Sequence, residues 1–306
     1  MMDKGHAETD KKLSALEKKL RGIYAVTAAE VAVKWKDYML KAGKEIDDLQ
    51  KEYDKAKDSG DKTVVRKLGI KLSRMKRERT IYDSRYKALT EQISDTLADV
   101  NGHALTLING TLPDIYTINS NFTAMSISGQ VSGVSFQLTD AATVRNLIKN
   151  GDTSLLPMRK KLDIQKDKIW NTEKMNGEVL QGILQGESME AISFRIQNVT
   201  DMNRSSAIRN ARTMVTGAEN KGRQDRREEA AKMGMIMKKK WIATEDNRTR
   251  ETHRKIDGET VDYDAKFSNG LLYPGDPNGA GAEVYNCRCT VGDIVVGFRS
   301  TAYQQV

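Results

Sequence analysis

Residues that interrupt or staple a fold are scarce in this chain of 306 residues. It has four prolines, two cysteines and three histidines. So few prolines permit long helices, because proline is the residue that most strongly breaks them. The two cysteines, Cys287 and Cys289, exclude a disulfide framework. A bond between them is also awkward at that spacing, since disulfides need Cα atoms about 4.4–6.8 Å apart with suitably aimed Cβ vectors. Aromatic residues are only 6% of the chain, which suits a solvated helical protein better than a β-sandwich. No apolar run approaches the roughly 20 residues of a membrane span. The first ten residues are polar and do not read as a secretory leader. These absences lead us to expect synthesis in a reducing cytoplasm.

Charge is what the chain has in quantity. Charged residues are 30% of it and the net charge is +8, with mean hydropathy −0.60 and a pI near 9.2. That balance permits binding to nucleic acid or another acidic surface, and it equally serves solubility. The length allows about two domains.

The pattern predicts a mainly α protein with a small α+β module at its C-terminal end. From residue 8 to about 58, Leu13, Leu16, Leu20, Ile23, Val31, Trp35, Tyr38, Met39, Ile46, Leu49 and Tyr53 recur at helical spacing. Asp58-Ser59-Gly60-Asp61 is a turn signal. A second helix then runs from Lys62 to about Ile108 through Leu68, Leu72, Met75, Tyr82, Tyr86, Leu89, Ile93 and Leu97. At 1.5 Å per residue each arm is about 70 Å long. The short turn predicts a long antiparallel helical hairpin. Between Asn109 and Thr139 the composition shifts to Asn, Ser, Thr and Gly, which predicts short strands or an irregular clasp. Helices follow over Ile164–Leu184, Ser188–Val199 and Ser205 to about Met233, with a cap near Ser188. The resulting segments are an extended hairpin over 1–116, a helical domain with a short strand-like segment over 117–234, and a small α+β module over 235–306. The last is loop-rich, with strand-like runs at Lys238–Ala243 and Thr290–Phe298.

Three constellations carry chemistry. His253, Cys287 and Cys289 are candidate zinc ligands, since thiolate and imidazole are preferred by that ion; Asp246, Asp257, Glu283 or water would supply the fourth. Alternatively, the thiols are small buried hydrophobes and His253 makes a structural hydrogen bond. Asp246-Asn-Arg248-Thr-Arg250-Glu-Thr-His253 could serve a metal-assisted nuclease, with His253 as general base and the arginines holding a phosphate. The same run also reads as a hydrogen-bonded loop. Arg223, Arg226 and Arg227, followed by Lys238, Lys239 and Lys240, form the densest basic stretch, a candidate phosphate-binding stripe for a DNA-binding adaptor. Glu228 and Glu229 interrupt it, and a solvated helix face is the plainer account.

The C-terminal motifs also occur in a telling order: Lys240-Trp241, Asp246-x-Arg248-x-Arg250-x-x-His253, Asp257-Gly258, Phe267, Pro274-Gly275 and Asn286-Cys287-Arg288-Cys289. Upstream stand Gly182–Ser188, Ala211-Arg212-Thr213 and Ala218-x-Asn220-x-Gly222-Arg223. This string, over about residues 175–298, resembles the phage head-morphogenesis, or minor head protein, family typified by the F protein of phage Mu. That family commonly has Glu after the Arg-Thr pair, where this chain has Met214. The resemblance implies a non-enzymatic minor capsid protein of a tailed phage, made in the host cytoplasm and carried in the virion. Its implied partners are the portal protein and other capsid or scaffold proteins, with double-stranded DNA nearby. Some relatives carry a toxin enzyme domain after this module; with Val306 as the last residue, we expect none here.

Overall fold

The computed structural model describes residues 3–42, 44–80, 84–152 and 154–299. Tyr82, the side chain of Met39 and residues 300–306 of the expected C-terminal module lie outside the described residues. No helix among the described residues is long and apolar enough to cross a membrane.

The chain opens with α1 (Lys4–Ala42), α2 (Lys44–Asp58), α3 (Lys62–Thr80) and α4 (Ser84–Ser128). Gly60 turns the chain between α2 and α3 with φ 76°, a left-handed conformation that glycine adopts without steric cost. Asp61 then caps α3, its side chain accepting from the backbone N–H groups of Thr63 and Val64 at 3.0 and 3.1 Å. The cross-links show the direction of the arms. Tyr24 donates to Asn101 at 2.6 Å, Lys34 to Thr96 at 2.7 Å and Lys76 to Gln50 at 2.9 Å. Numbers rise on one arm as they fall on the other, so the predicted antiparallel hairpin is present.

The chain divides into two compact units built from separated stretches, unlike the consecutive segments expected above. One takes residues 19–105 and 161–207; the other takes 1–18, 106–160 and 208–306. The first unit buries the helical stripe read from the sequence, including Trp35, Leu49, Leu72, Ile93 and Leu97, with Met175, Val179, Ile192 and Ile196. The last four come from α6 (Ile164–Leu184) and α7 (Met189–Lys232). Gly186 at φ 70° ends the turn after α6, and Ser188 caps α7 through Ala191 N at 3.2 Å. The sequence pattern splits α7 near residues 199–205, but the helix runs through. Asn203 could have broken it, yet its amide donates to Val199 O one turn back and to Asn171, both at 2.8 Å. A tertiary partner thus overrides a weak helix propensity.

The second unit departs further from expectation. The polar stretch after Asn109 is helical as far as Ser128, passing Pro113 on the way. Asn, Ser and Thr weaken helices when they bond their own backbone. Here Asn119 donates to Ile115 O within its own helix, yet its carbonyl and the Ser120 hydroxyl also accept from Arg223 and Arg226 of α7. The irregular clasp is confined to residues 129–140, before α5 (Ala141–Lys149), which Asp140 caps. After α7 come β1 (Met235–Ile242), α8 (Glu251–Lys255), β2 (Thr260–Asp262), α9 (Gly281–Val284) and β3 (Thr290–Phe298). The strands form an antiparallel sheet in the order β2-β1-β3. Along β1 the buried positions alternate: Met235, Met237, Lys239 and Trp241. Trp241, Phe267, Leu271, Val284, Cys287, Cys289 and Val291 make the module's core.

Candidate functional site

One face of α7 grips the start of β3 with polar atoms. Thr213, Thr216, Asn220, Arg223 and Arg227 are spaced by three and four residues, so they share a helix face. They engage the other chain in order. Asn286 N donates to Thr213 Oγ1 at 2.9 Å, and Thr216 Oγ1 donates to Cys287 O at 2.6 Å. Asn220 Nδ2 donates to Cys289 O at 3.2 Å, and Arg223 Nη1 to Val291 O at 3.1 Å. Arg227 Nη2 reaches Val291 O at 3.3 Å, while its Nε donates to Asp293 at 2.6 Å. The match has a geometric cause. Past the left-handed Asn286, residues 287–293 at strand rise span about 20 Å, and residues 216–227 of a helix rise about 17 Å. The two backbones therefore stay in step across six bonds from five residues of α7.

Two glycines let α7 approach its other neighbours, α4 and the loop at Gly275. A Cβ on Gly222 would stand 2.5 Å from Tyr116 O, and one on Gly275 would stand 2.7 Å from Gly217 N. Gly275 also has φ 81°. Met214, where the resembling family commonly has Glu, is fully buried.

This clamp corrects the reading of the basic stretch. Arg223 and Arg227 are 0% exposed and Arg226 is 4% exposed. Arg223 holds Asp3 at 2.6 and 2.9 Å and Asn119 at 2.8 Å. Arg226 bonds Glu229, Gln137 O, Ser120 and Thr139. These guanidiniums face inward because the polar half of α7 meets carboxylates and carbonyls rather than solvent, so they form no phosphate stripe. Lys239 is buried too, donating to Tyr263 O at 2.7 Å. Burial, with Arg227 nearby, pulls its ammonium down to about 7. Lys238 is half-buried beside Asp262, and Lys240 is exposed.

The thiols and imidazole named from the sequence do meet. His253 on α8, Cys287 and Cys289 place their ligating atoms within 4.8 Å of one another, all buried. His253 Nδ1 is 3.5 Å from each sulfur. On the other side of the ring, Nε2 stands at ion-pair distance, 2.9 Å, from Glu283 of α9. Trp241 presents a ring edge to the imidazole at 5.1 Å between centroids, and packs against Phe267 in the same manner. Cys289 is drawn below the usual thiol range by bonds from Cys287 and His253, against the effect of burial. Cys287 is pushed up by that same bond and by burial.

The remaining motif residues brace the loops around this cluster. Asp246 receives Arg288 at 2.8 and 2.7 Å, plus the N–H of Arg248 at 3.0 Å. The Arg288 bond holds its carboxyl at about 2. Arg250 donates to Tyr285 O. Asp257 accepts from Ala243 N at 2.8 Å, and Gly258, at φ 79°, returns its N–H to Trp241 O at 2.9 Å. Asn286 adopts φ 61°, and its side chain accepts from Arg212 at 3.2 Å. Of the fourth-ligand candidates, Asp246 and Asp257 are thus engaged elsewhere, and Glu283 lies behind the imidazole. Sequence reasoning missed the roles of Thr213, Thr216 and Asn220; their three-and-four spacing opposite a buried strand start was the available signal.

A helix bonded through its polar face to a Cys-x-Cys strand start, with Asp–Arg-braced loops, is the arrangement underlying the motif string. The family model described as Phage Mu protein F like protein matches residues 173–292, so this segment is similar to that family. Among curated proteins, the minor head protein GP7 of Bacillus phage SPP1 is 29% identical over 167 residues, 53% of this chain and 52% of that protein. The NAD(+)--arginine ADP-ribosyltransferase EFV of Enterococcus faecalis is 31% identical over 166 residues, 54% of this chain and 34% of that protein. The chain therefore spans about half the length of one relative and about a third of the other. No solved structure matches the chain.

Proposed function

We propose that this protein is a minor component of a tailed-phage head, built into the prohead at the portal vertex during head morphogenesis. The Mu F-like match carries this reading, and the similarity to a minor head protein supports it. Other capsid or scaffold proteins are its partners. The role is structural rather than enzymatic. Arg223, Arg227 and the motif carboxylate Asp246 spend their charge on internal bonds, and His253 is 1% exposed. A nuclease base would have to reach solvent and substrate. The ADP-ribosyltransferase named among the relatives gives the enzymatic alternative its test. Incubation with labelled NAD(+) and an arginine-containing acceptor should transfer no label, and transfer would refute the structural reading. Contact with packaged DNA would fall to exposed cations such as Lys240, and should weaken as salt rises.

The direct experiment is mass spectrometry of purified proheads, with affinity capture of the portal protein by the tagged chain. The protein should be present at low copy and should retain portal. Its absence from proheads would overturn the assignment.

A further inference from the structure

We propose that His253 Nδ1, Cys287 Sγ and Cys289 Sγ hold one zinc ion that staples the loop-rich sheet module. The inference is independent of the phage-head reading. It rests first on distance. Zinc binds sulfur at about 2.3 Å and nitrogen at about 2.0–2.1 Å, and tetrahedral angles then separate the two donors by about 3.5–3.6 Å. Both observed sulfur–nitrogen distances are 3.5 Å. A neutral imidazole nitrogen carries one in-plane lone pair or one proton, so it can aim at only one sulfur at a time. A single ion on that lone pair faces both sulfurs at once.

Orientation is the second argument. Glu283 lies 2.9 Å from Nε2, which has no aligned hydrogen-bond partner in this structure; a small rotation of the carboxylate would let it accept from Nε2–H and leave Nδ1 to ligate. Metal-binding histidines are characteristically supported in this way. The backbone contributes as well. Thr216 and Asn220 hold the carbonyls of Cys287 and Cys289, while Thr244 Oγ1 donates to Arg288 O at 2.7 Å. The Cys-x-Cys segment is therefore fixed before any ion arrives. That removes ordering cost from binding.

The site's character follows from its burial. His253 is 1% exposed and each cysteine 2%, so no substrate reaches the ion. Among the described residues no further His, Cys, Asp or Glu joins the group, so the fourth position would fall to a water. The ion ties α8 to the entry of β3 across loops with little regular structure. Small loop-rich modules need such a staple.

The test is elemental analysis of the full chain after growth with zinc, followed by zinc removal and cobalt replacement. One zinc per chain and the intense sulfur-to-cobalt absorption of a tetrahedral site are expected. Cys289→Ser should lose both. Because that variant could unfold, Glu283→Gln serves as the second arm. It keeps all three ligands and should weaken zinc about 10–100-fold in competition with a chromophoric chelator. A folded wild type that takes up no zinc and gives no cobalt–sulfur band would overturn the proposal. So would a Cys287→Ser/Cys289→Ser chain that retains the zinc. Unchanged affinity in Glu283→Gln would overturn the assignment of Nδ1 as the Glu283-oriented ligand.

Discussion

Replacing Arg227 with Met should destabilise the second unit far more than a surface change would. Arg227 and Asp293 are 0% and 1% exposed and 2.6 Å apart. Burial pulls the guanidinium down despite that partner, a sign of how little water reaches it. Removing one member leaves Asp293 buried without its hydrogen-bonded partner, with only the charge of Arg223 nearby; breaking a buried pair in this way costs about 3–5 kcal/mol. At about 2–4 °C per kcal/mol for a unit of this size, the midpoint should fall by roughly 6–20 °C. The Arg227→Met/Asp293→Leu double variant removes both charges at similar volume and should recover to within about 1–2 kcal/mol of wild type. A double-mutant cycle by denaturant unfolding isolates the coupling. A loss below about 1 kcal/mol for Arg227→Met, or strict additivity in the double variant, would refute the inward, clamped reading. It would return Arg227 to the surface, where a DNA-binding role could be reconsidered.

Other parts of the clamp make separate predictions. Thr216→Val keeps the shape but strips Cys287 O of its donor, and should cost about 1–3 kcal/mol in equilibrium unfolding, with Thr216→Ser recovering most of it. Gly222→Ala would push a methyl to 2.5 Å from Tyr116 O; overpacking of this kind costs about 1–3 kcal/mol, visible as a lower midpoint. His6 would be lowered by burial alone, but Glu219 at 2.9 Å holds it up at about 9. Its contribution is therefore complete below about 6.5 and is lost as pH rises through 9. Stability measured between those values should fall in wild type and stay flatter in His6→Gln. Asp246 works in the opposite direction. Its stabilisation is present above about 3.8 and disappears as pH falls through about 2, so acid unfolding should begin at higher pH in Asp246→Asn.

Much of this fold was legible because apolar periodicity is a local signal. Leu13 to Leu97 trace the hairpin, and Gly60 and Ser188 mark a turn and a cap where the structure has them. The helix over 109–128 was not legible. Its Asn and Ser residues read as loop until Arg223 and Arg226, a hundred positions away, supply partners. The same distance effect hid the fate of the arginines. A run of Arg223, Arg226 and Arg227 looks like an exposed stripe unless Asp3, Asn119 and Asp293 are known to converge on it. The cysteine–histidine meeting was legible from residue type, whereas the placement of Glu283 behind the ring was not.

A polar clamp also explains why this region reads as a motif while the hairpin does not. Apolar cores accept many side chains of similar volume. A buried hydrogen bond accepts only the atom that completes it, because an orphaned partner carries the full desolvation cost. Thr213, Thr216, Asn220, Arg223 and Arg227 on one side, and Asn286 to Asp293 on the other, are bound by that stricter rule. Their spacing on both strings then follows from helix rise and strand rise. A module built this way displays His, Arg and Asp in an order that resembles an active site, although these side chains bond one another and the module's own chain. The enzymatic look of the sequence and the structural role proposed for it thus share one physical origin.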